Sequence, residues 1–98
     1  MKGYVVCVYK NITNEKKLSE YAVKAKAAVE KFKGNFIVRG GKTTTNEGEK
    51  SPRTVVIEFP SFDEANKFYK SKEYQAGWAI AKKTTLRHMQ IVEGFSIE

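Results

Sequence analysis

The sequence predicts an α+β domain in which four antiparallel strands carry helices on one face. Three observations predict it. The segments read in the order β-α-β-β-α-β. The first and third strands, Tyr4 to Tyr9 and Arg53 to Phe59, are apolar on both alternating faces apart from Glu58. The helical segments each show one apolar stripe, so they can cover one face of a sheet and no more.

Tyr4 to Tyr9 is β-branched and aromatic, with Tyr4, Val6 and Val8 on one face and Val5, Cys7 and Tyr9 on the other. A strand of this composition needs cover on both sides. Thr13 or Asn14 then serves as the N-cap of a helix with Glu15 in its first turn. Leu18, Tyr21, Ala22, Ala25, Val29 and Phe32 follow at helical spacing, and Gly34 is the expected terminating residue. Asn35 to Arg39 is the second strand, closed by a Gly40-Gly41 turn that needs positive φ. Lys42 to Pro52 is polar, a long connection or an extended hairpin arm.

The third strand stops at Pro60. Ser61 with Glu64 three residues on forms a capping box, and the helix it opens is expected to bury Phe62, Ala65, Phe68 and Tyr69. Ser71 is a second cap, for a segment carrying Tyr74, Trp78 and Ala81. Leu86 to Glu93 is the fourth strand, ended by Gly94. This order is the ferredoxin-like arrangement. The face without helices must meet something else, and a second copy of the same sheet gives an isologous homodimer.

Ninety-eight residues make one domain, 1–98, and 41% apolar with 12% aromatic content suits a folded core. No apolar run is long enough for a membrane span. The start, MKGYVVCVYK, has no small-residue cleavage site and reads as a first strand. Cys7 is the single cysteine, so a reducing, cytoplasmic setting is expected. The net charge of +7 raises nucleic acid as a partner. The lysines are scattered along helix faces, with Glu20 and Lys24 in the favourable i,i+4 order, and that is the pattern of a solvated surface. The third strand also lacks the basic-glycine-aromatic pattern of RNA-binding sheets.

The ordered set Tyr4, Gly34-Asn35-Phe36, Arg39-Gly40-Gly41, Glu47-Gly48, Arg53 before VVIEFPSF, Ala65, Phe68-Tyr69, Ser71, Glu73-Tyr74-Gln75 and Ile91-Val92-Glu93-Gly94 resembles the domain-of-unknown-function family 1330. That family is a branch of the dimeric α+β barrel superfamily. The resemblance runs from about Gly3 to Phe95. It implies a homodimer whose sheets face each other with helices outside, and a pocket between one subunit's sheet and its helices. Related branches include cofactor-free monooxygenases, lactone isomerases and haem-degrading enzymes. Two positions depart from the family pattern: Lys82-Lys83 stands where an arginine is usual, and Leu86-Arg87-His88 where an acidic or small residue is.

Candidate site residues follow from residue type. Arg39 and Arg53 flank the long loop, where a guanidinium can hold a carboxylate or phosphate or instead pair with Glu47 or Glu49. Glu58, inside an apolar strand, is a general base or a carboxylate satisfied by a neighbour. His88, the single histidine, faces Glu58 across the first strand if the registers agree. Tyr69, Tyr74 and Trp78 are core aromatics or the wall of a ligand pocket. No metal-ligand spacing occurs, and no cofactor is expected. Two functions fit: a metal-free pocket enzyme, isomerase or monooxygenase-like, acting on a small organic acid or aromatic metabolite, and a non-catalytic small-ligand-binding or interaction dimer.

Overall fold

The computed structural model describes residues 1–96. Strand β1 (Gly3–Ile12) leads through Asn14 into helix α1 (Glu15–Lys31), and β2 (Asn35–Arg39) follows. After the long connection come β3 (Thr54–Phe59), α2 (Phe62–Lys70), α3 (Lys72–Ala81), a 3₁₀ turn (Lys82–Thr84) and β4 (Thr85–Glu93). The sheet order is β2-β3-β1-β4 with every neighbouring pair antiparallel. This is the ferredoxin-like topology expected from the element order.

The caps follow local chemistry. The Asn14 side chain accepts from the Lys17 N–H at 2.9 Å. The Ser61 hydroxyl accepts from the Glu64 N–H at 3.0 Å, the serine half of the expected capping box. Ser71 is extended, so it breaks the helical run in two, and its hydroxyl caps α3 through the Tyr74 N–H. The end of α1 differs from expectation in one detail. Lys33, at φ 63°, is the left-handed residue, and the Gly34 N–H closes the turn on the Val29 carbonyl. Glycine is needed at position 34 because a Cβ there would lie 2.6 Å from the Phe59 ring.

Strand alternation sorts the sheet into two faces. Val5, Cys7, Tyr9, Val55, Ile57 and Phe59 are buried beneath the helices with Leu18, Tyr21, Ala25, Val29, Phe68 and Tyr74. Tyr4, Val6, Val8, Val56 and Glu58 lie half-buried on the other face, beside exposed Leu86, His88, Gln90 and Val92. Phe62 and Tyr69 are not core residues as expected. Over its nine residues, α2 turns only Ala65 and Phe68 fully inward and leaves Phe62 and Tyr69 at the rim. The 42–52 segment is a connection without regular structure. Its end is tied down by the Ser51 hydroxyl, which donates to the Tyr9 and Arg53 carbonyls at 2.6 and 2.8 Å.

The entry of α2 is seated on the start of β1. A Cβ at Gly3 would lie 2.5 Å from the Ser61 carbonyl oxygen and 2.6 Å from the Phe62 Cα, both backbone atoms that cannot swing aside. Gly3→Ala is therefore expected to lower stability by about 1–3 kcal/mol, the usual range for overpacking. A urea midpoint equal to that of the wild type would show that this close approach is absent.

Candidate functional site

A cleft opens between the sheet and α1. Its walls are apolar, built by Leu18 and Ala25 from the helix and by Val5, Val55, Ile57 and Met89 from the strands. With its open mouth it encloses about 470 Å³. Its closed part has room for only a few waters, so a larger occupant requires the mouth to open. Three arginines line it: Arg39, Arg53 and Arg87. Arg39 leaves the end of β2 and lies over the Phe36 ring at 4.2 Å. Arg53 approaches from the start of β3 and packs against Gly40, which has φ 69° as the turn requires. Neither pairs with Glu47 or Glu49: the ion pairs among the described residues are Lys31–Glu73 and Lys67–Glu64.

Arg87 forms the floor. It stands on β4 opposite Tyr9 and points inward, in phase with Met89 and Ile91. Its Nη1 donates to the hydroxyls of Tyr9 at 3.2 Å and Tyr21 at 3.1 Å, and its Nη2 to that of Tyr74 at 2.6 Å. The Tyr21 and Tyr74 hydroxyls also bond each other at 2.9 Å. The Trp78 ring covers the guanidinium, 3.7 Å from centroid to Cζ, a cation–π arrangement. Arg87 is thus a largely buried cation held by phenols and an indole, with no carboxylate against it among the described residues.

Burial sets the protonation of its neighbours. It is the largest influence on Tyr9, which is pushed up to about 12, with Tyr21 adding and Arg87 opposing more weakly. Tyr74 is pushed up further, again by burial first and Tyr21 second. Burial also raises the Cys7 thiol against the pull of Arg87. Tyr9, Tyr74 and the Cys7 thiol are therefore neutral at pH 7, beside the positive charge of Arg87.

The structure distributes the sequence-derived candidates over three places. Arg39 and Arg53 line the cleft, whereas Tyr74 and Trp78 do not line it and touch only its Arg87. Tyr69 lines a separate shallow groove with Phe62 and Asn66. Glu58 and His88 lie on the open face of the sheet and do not meet. Glu58 pairs with Tyr4 and His88 with Val8, four residues apart along β1, or roughly 13 Å at strand rise. Glu58 instead accepts the Tyr4 hydroxyl at 3.1 Å, which raises the Tyr4 phenol. Exposed His88 has Gln90 Oε1 at 3.4 Å from its Nε2. Arg87 was not among the candidates, although its position was readable. Met89 and Ile91 fix which parity of β4 faces the helices, and Arg87 shares it.

The family model for DUF1330, a domain of unknown function, matches residues 2–95. The chain belongs to this family. No curated protein matches it. Among solved structures, this DUF1330 chain is similar to a protein of unknown function from Rhodopseudomonas palustris, at TM-score 0.78 and 9% identity over 98% of this chain and 84% of that one. It is also similar to a dimeric ferredoxin-like protein of unknown function from Bacteroides fragilis, at TM-score 0.57 and 19% identity over 95% and 96%. An antibiotic biosynthesis monooxygenase shares the fold at TM-score 0.53 and 8% identity over the whole of both chains. Identities this low establish the fold alone. No described helix is long and apolar enough to cross a membrane.

Proposed function

We propose that this chain is a homodimeric small-ligand-binding protein whose cleft takes a small organic anion. The observation that carries the reading is the set of three guanidiniums lining one apolar cleft with no ion pair to any of them among the described residues. Apolar walls with a few convergent polar groups are the usual composition of a small-molecule site. The positive lining sets the sign of the ligand.

Of the two functions that fit the sequence, binding without acid–base catalysis is the better supported. A metal-free isomerase or monooxygenase-like enzyme using Glu58 and His88 needs them near the ligand, and both lie across the sheet from the cleft. Within the cleft, Tyr9 and Cys7 are held protonated and so are poor general bases at neutral pH. The homodimer is supported by the half-buried apolar residues of the open face, Val6, Val8 and Val56, and by the dimeric state of the B. fragilis protein with the same fold.

Native mass spectrometry of gently purified protein tests both parts together. The expected result is a dimer across the concentration range that carries an acidic adduct, released on unfolding. A monomer at every concentration would remove the dimer. An empty protein whose melting temperature no carboxylic acid raises would remove the ligand cleft.

A further inference from the structure

Resting on the cleft reading above, a count of hydrogen-bonding capacity at its floor names the ligand's chemistry. A guanidinium offers five N–H groups and accepts nothing, and a phenol offers one O–H and accepts through its oxygen. Arg87 with Tyr9, Tyr21 and Tyr74 therefore brings eight donors to three phenol oxygens. Three guanidinium N–H groups and one phenol O–H are used within the cluster. The other Arg87 N–H groups have no hydrogen-bond acceptor among the described residues, and its positive charge has no carboxylate against it. A ligand carboxylate supplies both, since it only accepts and carries one negative charge.

We propose that Arg87 is the anion-recognising residue of the cleft and that its ligand is a monocarboxylate with a short apolar body, an aromatic ring or a branched chain. The ligand's carboxylate takes the unused N–H groups of Arg87, and the phenols of Tyr9 and Tyr21, which line the cleft, turn their O–H groups toward it. One negative charge neutralises the one buried cation. The body lies between α1 and the sheet against Leu18, Ala25, Ile57 and Met89. Entry displaces Arg39 and Phe36, which sit on the exposed edge strand at the mouth. Trp78 keeps the guanidinium flat and oriented. This assigns the mouth arginines a steering role and Arg87 the recognition.

Trp78 is the only tryptophan and covers Arg87, so its fluorescence reports occupancy of the floor. The probes are benzoate and isobutyrate, each against its neutral amide. Saturable fluorescence change with either acid, about tenfold tighter than with its amide, is the expected result. Arg87→Lys, which keeps the charge and loses the fork, is expected to weaken the acid about tenfold or more. Arg39→Ala with Arg53→Ala weakens it by a smaller factor. If the acids bind and Arg87→Lys leaves their affinity unchanged, the assignment to Arg87 is overturned while the cleft reading stands. If neither acid binds wild-type protein, the monocarboxylate assignment is overturned, and the adduct seen by mass spectrometry decides the cleft reading separately. Should Arg87→Lys fail to fold by circular dichroism, Tyr21→Phe decides, because Tyr21 both lines the cleft and bonds Arg87. That variant keeps the ring and deletes one hydroxyl. A loss of about threefold or more supports the proposal, and unchanged affinity overturns it.

Discussion

Phe68→Ala is expected to lower the stability of this domain by about 3–5 kcal/mol, the usual loss for deleting a fully buried phenylalanine. Phe68 has no exposed surface. Its ring lies between Phe59, at 4.9 Å, and Tyr74, at 4.6 Å, both tilted rather than stacked face to face. Truncation removes the wedge that joins α2 to the sheet on one side and to α3 on the other. Small domains hold only about 5–15 kcal/mol in all, so the loss is a large share of the total. Urea unfolding at one fixed protein concentration measures it, because the proposed dimerisation would make stability depend on concentration. A fall in midpoint with an unchanged slope is the expected form. A loss under about 1 kcal/mol would mean that the neighbours collapse into the space, as deep packing against two separate elements should not allow. The substitution also reaches the cleft, since the Tyr74 ring loses its support while its hydroxyl sits on Arg87. Weaker ligand binding should accompany the lost stability, which would link the packing of α2 to the proposed anion site.

That link runs through residues whose roles differ in how well a sequence announces them. Ser61, Ser71 and Asn14 announce caps because capping is decided within four residues. Alternation along β1 and β3 announces which residues share a face, because the side-chain period is a local property. Pairing register is different. The separation of Glu58 from His88 depends on how β3 and β4 each align with β1. No short stretch encodes that alignment. The same limit applies to Gly34, read as the left-handed terminator of α1. The left-handed conformation belongs to Lys33, and the absence of a side chain at Gly34 answers to the Phe59 ring from 25 residues further along the chain. Arg87 is the instructive miss. Its parity was legible, but an arginine in a half-apolar strand reads as a surface residue until three tyrosines from β1, α1 and α3 are seen converging on it.

That convergence makes stability sensitive to alkaline pH in a direction that can be worked out. In the unfolded chain a tyrosine releases its proton near pH 10. In the folded chain burial holds Tyr9 up to about 12 and Tyr74 higher still. A group whose folded pKa is raised contributes its full stabilisation below its unfolded pKa and loses it as pH climbs toward the folded value. Stability should therefore be insensitive to these two groups up to about pH 9. Between about pH 10 and 12 it should fall at up to roughly 1.4 kcal/mol per pH unit for each, a few kcal/mol in total. Urea midpoints at a series of pH values, read with ultraviolet tyrosinate absorbance, test this. The absorbance of two of the five tyrosines should appear only as the protein unfolds. Tyr74→Phe should flatten the alkaline fall by about half, because phenylalanine has no proton to release. The opposite outcome is informative too. Titration of Tyr9 or Tyr74 below pH 10 in the folded protein would mean that the attraction of Arg87 for a phenolate outweighs burial. The floor of the cleft would then hold its own anion, and the unmet charge on which carboxylate recognition depends would be gone.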